Sequence, residues 1–218
     1  MRHSLSEENY LKEIYHLSQD GSRKASVTAI ARKLRINAAS AVDMIRKLSE
    51  KRFITYDKSK GVKLTPAGVG IALSIIRSHR LWEVFLLEHL KYSWDVVHLI
   101  AEQLEHVKDP ELVDRLDGFL GHPDYDPHGD PIPKPDGRIP RIPTTTLADV
   151  KAGETCAVAG VKDTSPAYLQ YLKNLRISIG TRIKVVERIE YDRSLVIETR
   201  KSIRISVSKQ FAESVIVD

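Results

Sequence analysis

The sequence predicts an α+β protein of several domains: an N-terminal winged helix-turn-helix, a helical middle region and a small C-terminal β-barrel. Three observations carry that reading. Apolar residues recur at helical spacing to about position 120, broken once by a hairpin pattern. Residues 121–143 then hold seven of the ten prolines, which neither a helix nor a central strand accommodates. Beyond them the pattern becomes strand-like. At 218 residues and 42% hydrophobic content, the chain is long enough to bury more than one core.

Tyr10, Leu11, Ile14, Tyr15 and Leu17 mark a first helix over 6–17, with Ser6 and Asn9 as candidate caps. Gly21-Ser22-Arg23-Lys24 ends it. A short helix over 27–34, a turn at Arg35-Ile36-Asn37 and a third helix over 38–51 form a helix-turn-helix, with Ala41, Val42, Ile45 and Leu48 facing inward. Strands at 53–56 and 61–64, joined by Asp57-Lys58-Ser59-Lys60, add the wing. Thr65 caps and Pro66 opens a long helix to about residue 89. Ser93 and Asp95 suit the start of a helix over 93–108, and a short helix covers 111–120. The proline-rich stretch reads as an extended linker. Strands at 155–159, 182–186, 194–198, 202–206 and 215–217, with a helix at 166–175, suggest the barrel.

The formal charge of +5 suits an anionic partner without requiring one. The single cysteine, Cys156, rules out a disulfide framework. The opening MRHSLSEENY is not an apolar leader, and no run reaches the roughly 20 apolar residues of a membrane span. The expectation is a cytoplasmic protein.

In a helix-turn-helix the start of the second helix enters the major groove of DNA. Here that start is Asn37-Ala38-Ala39-Ser40, followed by Asp43 and Lys47, with Thr28 on the helix before and Arg35 in the turn. Small side chains permit close approach, and Asn37 and Ser40 can hydrogen-bond to base edges or phosphates. Lys58 and Lys60 bring positive charge to the wing tip, whereas Asp43 opposes a phosphate contact at its own position. A solvated basic face on an ordinary three-helix domain is the competing reading.

The segments His79-Arg80-Leu81-Trp82-Glu83 and His98-Leu99-Ile100-Ala101-Glu102-Gln103-Leu104-Glu105-His106 place imidazoles and carboxylates at helical neighbour spacings. That mixture suits a divalent transition metal. The second segment has no basic residue before Lys108 to balance its acids, and a bound cation would do so. A solvated acidic face is the alternative. His3, His16, His89, His122 and His128 carry no such signal and read as structural.

Several of these pieces together resemble the diphtheria toxin repressor and manganese transport regulator family of metal-dependent transcriptional repressors. They are Asn9-Tyr10-Leu11-Lys12-Glu13-Ile14-Tyr15, the helix-turn-helix, Leu64-Thr65-Pro66-Ala67-Gly68, Ser78-His79-Arg80-Leu81-Trp82-Glu83, Glu102-Gln103-Leu104-Glu105-His106-Val107 and His128-Gly129-Asp130-Pro131-Ile132-Pro133. The resemblance implies a DNA-binding domain over 1–65, a helical dimerisation and metal-binding domain over 66–121, a linker over 122–143 and an SH3-like or FeoA-like barrel over 144–218. It implies a homodimer that binds a palindromic operator in double-stranded DNA when loaded with manganese(II) or iron(II). It also implies one metal site from Asn9, Glu102, Glu105 and His106, and a neighbouring one from His79, Glu83 and His98, with Asp163 as a further candidate ligand.

Iron-responsive members of the family carry cysteine at the position of Glu102, so a carboxylate there favours manganese(II). Manganese-responsive members carry aspartate at Asn9 and glutamate at Lys12. Asn9 can ligate as a neutral amide, while Lys12 cannot ligate when charged. A metallohydrolase is the enzyme alternative. The chain has no His-Glu-x-x-His, nucleophile elbow or phosphate-binding glycine loop, so no enzyme is expected. A metal-independent winged-helix regulator is the other alternative.

Overall fold

The computed structural model describes residues 3–18, 23–141, 144–199 and 203–218. The expected turn at Gly21 and Ser22 and the residue Ser202 lie outside them. The chain divides into two compact units, one of residues 1–79, 102–113 and 133–138, the other of residues 80–101, 114–132 and 139–218.

The first unit opens with α1 (Leu5–Leu17). Its cap is Ser4 rather than Ser6 or Asn9: Ser4 Oγ accepts the Glu7 N–H at 3.3 Å, and the Ser4 N–H donates to Glu7 Oε2 at 2.9 Å. This reciprocal box needs an acid three residues on, which Glu7 supplies. Then follow α2 (Val27–Lys33), α3 (Ala38–Glu50), β1 (Ile54–Asp57), β2 (Gly61–Leu64) and the start of α4 (Pro66–Glu88). The hairpin register runs from Ile54 opposite Leu64 to Asp57 opposite Gly61, and Ala25 bridges Val62 as a third edge. Leu11, Ile14, Ile30, Ile45, Leu48 and Val62, all fully buried, centre the core. Thr65 Oγ1 accepts the Gly68 N–H at 3.2 Å as the expected α4 cap. A Cβ on Gly68 would stand 2.0 Å from the Phe53 carbonyl oxygen, so only glycine lets α4 pack this closely on the wing.

Helix α5 (Val97–Leu104) is shorter than the expected 93–108. Residues 93–96 form a turn in which the Ser93 carbonyl accepts the Val96 and Val97 N–H groups at 2.9 and 3.2 Å. Glu105 and His106 lie in a turn beyond the helix. Next comes α6 (Pro110–Phe119).

The second unit is centred on a five-stranded antiparallel sheet, ordered β6-β5-β4-β3-β7, made of β3 (Thr155–Val161), β4 (Arg182–Arg188), β5 (Leu195–Thr199), β6 (Ile203–Val207) and β7 (Val215–Val217). Helices α7 (Pro166–Asn174) and α8 (Lys209–Ser214) accompany it, the latter not foreseen. Leu147, Leu172, Ile183, Val185, Ile197 and Val215, fully buried, lie at its centre, with Trp94 packed against them. Residues 123–132 are not a loose linker. Tyr125 bridges Pro131, and Asp126, His128 and Ile132 are buried. Gly129, at φ +86°, crosses β3 so closely that a Cβ would stand 2.3 Å from both the Ala159 oxygen and Gly160 Cα, and Val161 N–H bonds the His128 carbonyl at 2.9 Å.

Candidate metal centre and nucleic-acid interface

In the first unit, one face of α1 meets the residues that follow α5. Glu8 and Lys12 are one helical turn apart and therefore share a face. Lys12 Nζ donates to Glu105 Oε1 at 2.6 Å and to Glu102 Oε1 at 2.9 Å. His79, from α4, holds the other oxygen of the same carboxylate, Nδ1 to Glu105 Oε2 at 2.6 Å. His106 Nδ1 lies 2.5 Å from Glu8 Oε2, while its Nε2 is 3.4 Å from Glu105 Oε1. Glu8 is also within 3.2 Å of His3 Nε2 and 3.4 Å of Lys108 Nζ. Glu8, Lys12, His79 and Glu105 are all buried. Burial disfavours the charged form of Lys12, but the Glu105 and Glu102 carboxylates outweigh it and raise its pKa. Burial raises the Glu13 carboxyl nearby, against the pull of Lys33 and Lys12.

Donor atoms of His79, Glu102 and Glu105 lie within 4.8 Å of one another. Two ligands each about 2.2 Å from an ion are at most about 4.4 Å apart, so small side-chain shifts close this set. Asn9 Oδ1, on α1, is buried and accepts no hydrogen bond. One imidazole and two carboxylates suit a divalent first-row ion.

In the second unit, Glu83, Asp126 and His128 form another buried set whose donor atoms lie within 4.8 Å. Glu83 Oε1 meets His98 Nδ1 at 3.1 Å, and Glu83 Oε2 lies 3.7 Å from His128 Nδ1. Asp126 Oδ1 accepts the His128 and Asp130 N–H groups at 2.7 and 2.9 Å, which folds the loop. Arg80 faces Asp126 and Asp130 at 3.7 and 3.8 Å and donates to the Pro131 carbonyl. Burial, then Glu83 and Asp130, push the Asp126 carboxyl well above the usual carboxylate range. Burial opposes charge on His128, but its bond to Glu83 and the nearby Asp126 charge outweigh that and raise its pKa. The ring stacks on Trp94 at 5.8 Å, and its Nε2 is buried without a hydrogen bond.

In the first unit Glu105 meets both His79 and His106, with Glu102 beside it. In the second, Glu83 meets His98, and it also belongs with Asp126 and His128. Asp163 Oδ1 accepts the Ser165 N–H at 2.8 Å in the turn before α7. Sequence reasoning missed Glu8, Asp126 and His128, the last being read as structural. The i,i+4 spacing of Glu8 and Lys12 was a usable signal; the Asp126-x-His128 turn was hidden among prolines.

All ten residues expected at DNA, Thr28, Arg35, Asn37, Ala38, Ala39, Ser40, Asp43, Lys47, Lys58 and Lys60, are exposed. Asn37 is the α3 N-cap, its Oδ1 accepting the Ser40 N–H at 2.8 Å, so its oxygen is committed to the helix. Arg35, at φ 55°, takes the left-handed turn between α2 and α3. Asp57 Oδ1 accepts the Ser59 N–H and hydroxyl at 2.8 and 2.7 Å and the Lys60 N–H at 3.2 Å, fixing the wing tip. Lys47 of α3 and Lys51, its C-cap, reach Glu7 of α1 at 3.1 and 2.8 Å. Burial works to raise the Glu7 pKa, but hydrogen bonds from Lys51, Ser4 and Lys47 bring it down to about 2.

Three family descriptions match successive stretches: "Iron dependent repressor, N-terminal DNA binding domain" over 4–62, "Iron dependent repressor, metal binding and dimerisation domain" over 65–134, and "FeoA domain" over 145–218. The chain is 28% identical over 144 residues to the diphtheria toxin repressor of Corynebacterium jeikeium, covering 66% of this chain and 60% of that protein. It is 45% identical over 71 residues to a probable metal transport system membrane protein of Chlamydia trachomatis, covering 33% of this chain and only 16% of that one. A solved structure described as a manganese-dependent transcriptional repressor in complex with manganese superposes with a TM-score of 0.81 at 35% identity, covering 97% of this chain and 98% of the other. With that identity across nearly the whole length, on the fold and residue clusters above, the chain belongs to the iron-dependent repressor family, the group of the diphtheria toxin repressor and the manganese transport regulators.

Proposed function

We propose that this protein is a metal-dependent transcriptional repressor that binds a palindromic operator as a homodimer, controls metal-ion homeostasis genes and answers to manganese(II) in preference to iron(II). The observation that carries the reading is the double attachment of α1. Glu7 holds Lys47 of the recognition helix α3 and its C-cap Lys51, and the adjacent Glu8, with Lys12, holds His106, Glu105 and Glu102. A change among the metal-site residues is therefore felt one helix away from the DNA-reading surface.

Glu102, Glu105, His106 and His79 would hold the ion, with Asn9 as a neutral donor; Glu83, His98, Asp126 and His128 form the second candidate set. When bound, the ion supplies a divalent charge that imidazole nitrogen and carboxylate oxygen share. Glu8 orients the His106 ring by taking its Nδ1, which leaves Nε2 for coordination. The oxygen-rich donor set, with no thiolate, supports manganese(II) over softer ions. Residues 1–65 would carry DNA binding, 66–121 dimerisation and metal binding, 122–143 the connection and 144–218 the FeoA-like domain. Thr28, Arg35, Ala38, Ala39 and Ser40 would meet bases and backbone, and Lys58 and Lys60 the phosphates. Such a protein is no enzyme and works in the cytoplasm; among the described residues no helix is long and apolar enough to cross a membrane.

The test is fluorescence anisotropy of labelled DNA from the region upstream of the protein's own coding sequence, with chelator, with manganese(II), and with iron(II) under anaerobic conditions. Tight binding only with metal is expected, strongest with manganese(II) at matched free concentration. Equal binding in all three conditions would leave a metal-independent winged-helix regulator, and a stronger iron(II) response would reverse the choice of ion.

A further inference from the structure

A lysine is an unexpected member of a metal cluster, because a charged ammonium cannot ligate. Yet Lys12 Nζ sits where the carboxylates converge, 2.6 Å from Glu105 and 2.9 Å from Glu102. The side chain is 7% exposed and that of Glu105 is 0% exposed, so solvent screens this pair weakly. Two oxygens that an ion would use are already held by a cation carried on α1.

Building on the metal-sensor reading above, we infer that Lys12 is a tethered competitor for the metal: its ammonium occupies Glu102 and Glu105 in the metal-free protein and leaves them when an ion binds. An ammonium and a divalent ion repel at this range, so both cannot share the same two carboxylates. The flexible four-carbon stem of lysine lets the head swing away while the helix stays in place. In the metal-free protein the ammonium compensates two acids that would otherwise repel across one buried site. The apparent affinity for metal is then lowered by the fraction of time the carboxylates are engaged. Lys12 thereby sets the metal concentration at which the protein responds, and Glu102 and Glu105 have a cation at all times. The Glu8–His106 pair is outside this exchange and keeps the imidazole oriented in both states.

The experiment uses the full chain with Lys12→Met, which keeps the stem and removes the charge. Manganese(II) titration by calorimetry is expected to show about tenfold tighter binding than the unaltered protein, or better. The metal-free variant is expected to melt at a lower temperature, with manganese(II) restoring the difference. A second measurement does not depend on the variant folding: the rate of Lys12 acetylation in the unaltered protein, read by mass spectrometry with and without manganese(II), is expected to rise on saturation. Equal or weaker affinity in the variant, or acetylation that stays slow in the saturated protein, would overturn the inference and leave the metal sensor standing. Failure of both proteins to take up manganese(II) would overturn both readings.

Discussion

Replacing Glu7 by glutamine removes a charge while keeping the helix cap, since glutamine serves as well as glutamate at the third position of a capping box. What is lost is the pairing with Lys51 at 2.8 Å and Lys47 at 3.1 Å. Those bonds, with that from Ser4, overcome burial and set the Glu7 pKa at about 2 against an ordinary 4.5. Each pKa unit is about 1.4 kcal/mol of difference between folded and unfolded chain, an upper limit near 3.4 kcal/mol. The side chains of Lys47 and Lys51 are 52% and 28% exposed, so water screens part of it. About 2 kcal/mol at pH 7 is the expected loss. Because the folded pKa lies below the unfolded one, the stabilisation is complete above pH 4.5 and disappears as pH falls toward 2. Amide exchange in α1 and α3, read by mass spectrometry, should therefore quicken about thirtyfold in the variant at pH 7, with the gap in opening free energy falling to less than about half by pH 3. A gap independent of pH, or none at pH 7, would refute this account of the α1–α3 contact.

Gly129→Ala must adopt φ +86° and drive a methyl group into the Ala159–Gly160 backbone; a loss of roughly 3 kcal/mol is expected, followed by thermal unfolding through tryptophan fluorescence, and a loss under about 1 kcal/mol would contradict the crossing. Asn37→Ala removes the bond to the Ser40 N–H and should cost about 1 kcal/mol of α3 stability together with operator affinity; unchanged α3 exchange rates would show that the cap is dispensable. The double change Lys58→Ala and Lys60→Ala should weaken binding to all DNA sequences alike and lower the slope of log affinity against log salt by about 2. An unaltered slope would remove the wing tip from the interface.

Much of the architecture was legible because it rests on local chemistry. The wing could be read from its alternating residues, and the α4 start from Thr65 and Pro66, each acting within a few positions. The expected α1 cap lies two residues from the observed one because Ser4 and Ser6 offer the same hydroxyl; the deciding factor is that only Ser4 stands three before Glu7. The end of α5 was overrun because Glu105 and His106 continue its spacing, while the chain turns there to meet Glu8 and Lys12. Of the clustered residues, those at helical neighbour spacing were legible, whereas Glu8, Asp126 and His128 were not. Asp126 and His128 sit among prolines that read as a linker, and burial against β3 turns them into a defined loop. Lys12 could be excluded as a ligand from its chemistry, whereas its seat between two carboxylates depends on contacts from far along the chain.

Those separations also order the assembly of the molecule. The polar pairs that fasten α1 to the later turn join residues 93 and 98 positions apart, Lys12 with Glu105 and Glu8 with His106. Within the winged helix, by contrast, the hairpin pairs joining Ile54 with Leu64 and Asp57 with Gly61 span 10 and 4 positions. Short closures form early and long ones late. During synthesis the winged helix can therefore take shape before Glu105 and His106 are available to Lys12 and Glu8. The nascent chain acquires its recognition helix before it acquires the residues that fasten the other face of α1.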